Sequence, residues 1–187
     1  MEVFSKFDIR WGYNNICIRE GDEWKGAFKT RHGLYEPKVM FFGMSNSPPT
    51  FQRFMNGLLE KLYRHFEKKG VHNIRKIFHS YMDDCALGTK LKDIELHKEI
   101  IHFLFDLSAE NGLHLKLSKS VFMQPSIDFL GVRISKDGAT IDPAKVAGIT
   151  EWPEEITTLK GARSVIGVIG YHRMFIPGFS TIAAPIT

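Results

Sequence analysis

Phe78-His-Ser-Tyr-Met-Asp-Asp-Cys-Ala-Leu-Gly88 reads as a short strand, a tight turn on Asp83-Asp84 and a returning strand. Ile74, Ile77 and Phe78 lead in and Ala86 and Leu87 lead out, so the flanks are apolar. Two adjacent carboxylates at such a tip repel, and each makes the other harder to ionise. Turns favour Asp for local hydrogen bonding, usually as a single Asp beside Asn or Gly. A solvated turn would account for a bare Asp-Asp pair. A cation held by hard oxygen ligands would also offset the repulsion, and the rest of the chain must decide between them.

Upstream, Val3 to Ile9 reads as a strand with Phe7 and Ile9 on one face and Asp8 on the other. Trp11-Gly-Tyr-Asn-Asn15 carries breaker residues that turn the chain sharply after it. Cys17 to Arg19 and Lys25 to Thr30 are expected to pair around Glu20-Gly-Asp-Glu23, and Leu34 to Phe42 is a third candidate strand. Ser47-Pro48-Pro49-Thr50 reads as a helix start, with a Ser cap and Pro in the first turn. Phe51, Phe54, Met55, Leu58, Leu59, Leu62, Tyr63 and Phe66 then recur at helical spacing, and Lys68-Lys69-Gly70 closes the helix. That aromatic stripe is core, not a stacking surface.

Downstream, a second helix is expected from Asp93 to Asn111, with Ile94, His97, Ile100, Ile101, Leu104, Leu107 and Ser108 on its inner side. Lys119 to Met123 and Ile127 to Ile134 read as strands around Gln124-Pro125-Ser126, and Asp137-Gly138 is a turn signal. From Asp142-Pro143 the pattern is helical. One helix opens at Pro143, and another runs from Thr158 to Phe175 with Leu159, Ala162, Val165, Ile166 and Ile169 inward. The boundary is placed between Lys136 and Asp142.

This order predicts an α+β fold, a mostly antiparallel sheet with helices on one face in the split βαβ, ferredoxin-like layout, followed by a small helical region. The strand bearing Asp8 and the hairpin bearing Asp83-Asp84 can then be neighbours. Three carboxylates meeting at one sheet edge are the hard oxygen set that a pair of Mg²⁺ ions takes. Such a site supports in-line phosphoryl displacement without a protein nucleophile.

Composition narrows the class only modestly. The 187 residues carry a net charge of +4, compatible with a polyanionic partner but dispersed along the chain. Cys17 and Cys85 form no CxxC pair, which argues against a disulfide framework or a structural zinc. The N-terminus does not resemble a signal peptide. No run approaches the roughly 18 apolar residues of a membrane span. A soluble intracellular chain is expected, with no membrane partner.

Several stretches in order resemble the reverse transcriptase family. Phe4-Ser-Lys-Phe-Asp-Ile-Arg-Trp-Gly-Tyr13 resembles motif A, and Met40 to Asn56, with Gly33-Leu-Tyr-Glu36 leading in, resembles motif B. Tyr81-Met-Asp-Asp84 looks like motif C, Leu117-Ser-Lys119 like motif D, and Phe129-Leu-Gly131 like motif E. Ile141 to Val146, Gly170 to Ile176 and Phe179 to Pro185 are similar to the connecting and thumb segments of gypsy-type LTR retrotransposon polyproteins. The resemblance covers essentially the whole chain. It implies a polymerase palm over residues 1–136 and the start of a thumb or connection over 137–187.

Carried over residue by residue, the resemblance implies that Asp8, Asp83 and Asp84 hold two Mg²⁺ ions (Mn²⁺ as a substitute), with the Ile9 carbonyl assisting. Tyr13 would be the steric gate against a ribose 2′-hydroxyl, and Phe42, Gly43 and Met82 would line the nucleotide site. Pro48 and Gln52 would set the template-side helix, Lys119 would protonate departing pyrophosphate, and Leu130 and Gly131 would grip the primer. Outside the motifs, Tyr13 reads as a half-buried aromatic, Phe42 as core, Lys119 as a solvated lysine and Pro48 as a helix starter. The implied partners are an RNA or DNA template with primer, a dNTP, and the rest of a polyprotein comprising fingers, RNase H and integrase. The implied location is the cytoplasm, within retroelement particles, and the nucleus.

Trp11, Phe41, Pro49 and Cys85 depart from the family pattern, and the chain starts at the motif A strand without the fingers segment expected before it. Two functions are therefore weighed. One is an RNA-directed DNA polymerase; the other is an inactive retroelement remnant that at most binds nucleic acid.

Overall fold

The first strand, β1 (Val3–Asp8), pairs antiparallel with β5 (Asp84–Thr89) along its whole length, from Val3 opposite Thr89 to Asp8 opposite Asp84. β4 (Phe78–Tyr81) lies on the far side of β5, and β6 (Val121–Gln124) on the far side of β1. The sheet order β4-β5-β1-β6, with α1 (Ser47–Lys68) and α3 (Ile94–Glu110) between strands, is the split βαβ arrangement. In the computed structural model, residues 1–142 and 155–186 are described. They divide into two compact units, Met1–Ile127 and Asp128–Thr187.

The pleat sorts the strands by face. Ser5, Phe7 and Ile9 turn toward the helices, and Lys6 and Asp8 turn away. Phe7 has no exposed surface; its ring stacks on Phe78 at 6.4 Å and meets the edges of Phe122 and Phe105 at 5.6 and 6.4 Å. From α1, Phe51, Met55, Leu58, Leu59, Leu62 and Phe66 are buried in the same core, as their spacing requires. From α3, His97, Ile100, Ile101, Leu104, Leu107 and Ser108 are buried, which is the inner side expected from sequence. A single helical turn, α2 (Ile74–Ile77), leads into β4.

Fully buried His97 ties three strands to α3. Its Nε2 lies 2.8 Å from Ser5 Oγ and its Nδ1 2.9 Å from Thr89 Oγ1. Ser5 Oγ also accepts the Met123 N–H at 2.9 Å. That amide is displaced by a β-bulge, where the β1–β6 register shifts between Phe4 and Lys6 and Met123 takes a φ of 53°. Ser5 thus replaces the lost ladder bond.

Several local expectations are corrected. The hairpin turn is centred on Met82-Asp83, not Asp83-Asp84, because Tyr81 pairs with Asp84 and Met82 takes the positive φ of 54°. Cys17 pairs only as an isolated bridge with Val39, and Glu23–Gly26 is a 3₁₀ turn. The strand pair is instead β2 (Phe28–Thr30) with β3 (Gly33–Tyr35), which stops well short of Phe42. Ser47 does not cap α1; it is the first helical residue, and its hydroxyl donates to the Phe41 carbonyl at 3.0 Å.

The expected strand from Ile127 to Ile134 is two, β7 (Ser126–Phe129) and β8 (Val132–Ser135), neighbours in a sheet completed by β9 (Gly138–Ile141). Leu130 and Gly131 turn the chain between them with φ values of 47° and 73°. Two left-handed residues are what a type I′ hairpin takes, and for Leu the conformation costs roughly 1–2 kcal/mol.

The later helix is α4 (Leu159–Tyr171), capped by Thr158, whose hydroxyl accepts the Gly161 N–H; Arg173–Phe175 is a separate 3₁₀ turn. None of its side chains is buried, and Leu159, expected inward, is exposed. Periodicity names an apolar face but not a partner for it. The helix expected to open at Pro143 lies outside the described residues. A short α5 (Phe179–Ala183) follows.

Burial lowers the His97 pKa from 6.5 to about 4. A depressed histidine stabilises the fold fully above its unfolded pKa, and that stability is lost as pH falls from about 6.5 toward 4. Urea unfolding at pH 7 and pH 5 should therefore show a loss of about 2 kcal/mol from this group. Equal stability at both values would mean that His97 titrates as an exposed imidazole.

Candidate active site

Directly opposed residues of an antiparallel pair share a sheet face, so the Asp8–Asp84 register puts both carboxylates on the side away from the helices. Like charges so placed repel. Two lysines offset this. Lys6, two residues before Asp8 and therefore on its face, brings Nζ to 3.1 Å from Asp84 Oδ1. Lys119 Nζ lies 3.9 Å from Asp8 Oδ2.

Asp83 occupies the hairpin turn, and its carbonyl accepts the Ile9 N–H at 3.1 Å. The tip is held from α1 by Gln52, whose Oε1 accepts the Met82 N–H at 2.9 Å while its amide donates to Asn56. Beyond β1, Arg10 N–H donates to the His114 carbonyl at 2.7 Å and Lys116 N–H to the Asp8 carbonyl at 2.8 Å. With an Ile9–Leu115 bridge, these bonds lay the stretch after α3 alongside Asp8. Ser120 Oγ accepts the Asp8 N–H at 3.4 Å and donates to the Lys116 carbonyl at 3.1 Å.

Together these segments wall a cleft of about 670 Å³, lined by Asp8, Asp83 and Phe42 with Ile9, Gly12 and 115–119. Arg10 and Trp11 also line it. Trp11 takes a left-handed conformation, with the Arg10 guanidinium 4.3 Å over its ring. Asp84 does not line the cleft.

The expected nucleotide-side residues gather at its edge. Tyr13 lies in the 3₁₀ turn Gly12–Asn15, half-buried, its ring 4.8 Å from Phe42 and edge-on to Phe51 at 5.6 Å. A Cβ on Gly12 would come 2.8 Å from Phe51 Cζ, so only glycine lets this turn sit against α1. Phe42 is 78% exposed and is not a core residue. Gly43 beside it has a φ of 104°. A smaller space of about 50 Å³ is lined by Gly12, Tyr13, Phe42, Phe51 and Asp83. Pro48 is exposed in the first turn of α1, and Lys119 is also exposed. Leu130 and Gly131 belong to the second unit.

The donor set fits a hard divalent cation in its chemistry. Asp8 and Asp83 both open onto a water-accessible cleft, and Mg²⁺ is held by one or two carboxylates with its waters. The Lys6 ammonium engages one oxygen of Asp84, Oδ1. Among the described residues no three acidic, histidine or cysteine side chains are gathered as a metal cage. Next to the pair, burial pushes the Cys85 thiol up to about 12, with Asp84 and Asp83 adding to the shift, so it is an inert core residue.

Sequence reasoning missed Lys6, Arg10, Lys116 and the Gln52–Met82 bond. Lys6 and Arg10 had a readable signal, each standing two residues from Asp8. The others depend on pairings across 30 or more residues.

Residues 1–134 match the model of the reverse transcriptase (RNA-dependent DNA polymerase) family. The chain is 34% identical over 187 residues to a retrovirus-related Pol polyprotein from transposon 297 of Drosophila melanogaster, covering all of this chain and 16% of that protein. It is 32% identical over 186 residues to the corresponding polyprotein of transposon gypsy from the same organism, again covering all of this chain and 17% of the relative. The chain thus spans about a sixth of the length of these relatives. A solved foamy viral protease–reverse transcriptase in complex with an RNA/DNA hybrid superposes with a TM-score of 0.81, at 24% identity, over 99% of this chain and 23% of that one. At that identity the likeness speaks for the fold. The family match over most of the chain speaks for descent: this chain belongs to the reverse transcriptase (RNA-dependent DNA polymerase) family.

Proposed function

We propose that this chain performs the polymerase chemistry of its family, joining a dNTP to a primer 3′-hydroxyl on an RNA or DNA template. The observation that carries the reading is the β1–β5 register, which sets Asp8 opposite Asp84 and beside Asp83 at a cleft bordered by Arg10, Lys116 and Lys119. Residues 1–136 would be the palm and 137–187 the start of the thumb or connection.

Asp8 and Asp83 would hold two Mg²⁺ ions, or Mn²⁺ in their place, with the Ile9 carbonyl nearby and Asp84 joining them. When bound, the ions supply Lewis-acid stabilisation of the attacking and leaving oxygens. Tyr13, backed by Phe51, presents a ring that cannot recede, which suits exclusion of a 2′-hydroxyl. Phe42, Gly43 and Met82 would border the nucleotide. Pro48 and Gln52 would set the template side, with Gln52 also holding the hairpin tip. Lys119 would hold the proton passed to the leaving pyrophosphate, and Leu130 and Gly131 would meet the primer. The remaining partners would be the other parts of a parent polyprotein, and the setting intracellular, in cytoplasmic particles and the nucleus. Among the described residues no helix is long and apolar enough to cross a membrane.

Extension of a DNA primer on an RNA template with Mg²⁺ tests this directly. Wild-type incorporation should fall at least about 100-fold in Asp83→Asn, the scale of losing one preorganised electrostatic contact to the transition state. No incorporation by folded wild type would leave an inactive retroelement remnant.

Hybrid binding separates the scaffold from the chemistry. Affinity for an RNA/DNA duplex should drop steeply between roughly 50 and 200 mM salt, because lysine and arginine contacts to phosphate release counterions. A flat profile in fluorescence anisotropy would contradict a nucleic-acid interface of this kind.

A further inference from the structure

We infer that Tyr171 is a positioning residue for the Leu130–Gly131 turn, fixing where that turn meets a primer terminus. The inference rests on the reading of the turn as the primer grip proposed above. Leu130 and Gly131 both hold positive φ, yet a two-residue hairpin of this kind favours Asn-Gly, and leucine tolerates the left-handed region poorly. A residue so placed persists only where its surroundings hold it.

The Leu130 carbonyl is held. It accepts a hydrogen bond of 2.6 Å from Tyr171 Oη, 41 residues along the chain. Tyr171 is the last residue of α4, and its ring meets the edge of His172 at 5.0 Å. His172 is 3% exposed, so the tyrosine stands on a buried neighbour. One step from the turn, Arg133 on β8 pairs with Asp128 on β7 at the surface through Nε at 2.8 Å and Nη2 at 3.1 Å. The strands are joined next to the turn by a surface ion pair, and the turn itself is held at the Leu130 carbonyl. Loss of the hydroxyl removes the bond to the Leu130 carbonyl.

The test measures anisotropy of the 187-residue chain on two RNA/DNA hybrids, one blunt and one with a recessed primer 3′ end. Tyr171→Phe should weaken the recessed-end hybrid about five- to tenfold. Affinity for the blunt hybrid and the urea midpoint should stay unchanged. Equal weakening on both hybrids, or a lowered midpoint, would make the tyrosine a merely structural residue and overturn the inference.

Gly131→Val, which a φ of 73° does not accommodate, serves as the second arm. If it weakens recessed-end binding while Tyr171→Phe does not, the turn meets the primer but Tyr171 does not position it. If Gly131→Val leaves recessed-end binding intact, the primer-grip reading itself falls, and the inference with it.

Discussion

The antiparallel register of β1 against β5 is the constraint on which the site depends. Because side chains alternate along a strand, a slip of one residue would send Asp8 into the core and Phe7 into solvent. The register is therefore fixed from the core side. Ser5 and Thr89 stand on different strands and both meet His97, so a slip would strand a fully buried imidazole without its two oxygen partners. Leaving buried polar groups unpaired costs more than the bonds contribute when made. The bulge at Met123 adds to this specificity, since its amide depends on Ser5 facing inward. The polar network under the sheet thus sets the carboxylates above it.

The outer face faces the opposite problem. Asp8, Asp83 and Asp84 concentrate negative charge at one sheet edge, and the protein answers with Lys6 and Lys119. Lys119 sits at the surface and Lys6 is half-buried, and a partly solvated salt bridge of this kind is weak enough for a competing ion to displace. A site arranged this way is stable when empty and exchangeable when filled. Walls of different character surround it: the stretch after α3 brings lysines, and the 3₁₀ turn 12–15 brings Tyr13 against Phe42 and Phe51.

Much of this was legible in the chain where one local pattern sufficed. The inner faces of α1 and α3 follow from spacing alone, because each side chain's direction is set by its own helix. The pairing of Asp8 with the hairpin followed from element order. The failures are non-local. The hairpin turn shifts by one residue because Gln52 holds Met82 in a left-handed conformation from 30 positions away. Phe42, core when read outside its motif but expected at the nucleotide site from the motif, is exposed at the cleft edge, because β3 ends at Tyr35 and the chain leaves the sheet. Phe129 to Val132 looked continuous because Leu130 carries no turn signature. On α4 the expected inner residues Ala162, Val165, Ile166 and Ile169 are half-buried, and only Leu159, in the first turn, is exposed.

The central claim is that the register delivers Asp8 and Asp83 as a divalent-cation site. Manganese binding, followed by electron paramagnetic resonance on the folded chain, tests it without requiring turnover. The account predicts saturable binding that weakens at least about tenfold in Asp8→Asn and in Asp83→Asn. Binding of equal strength in wild type and both variants would place the ion elsewhere and contradict the account.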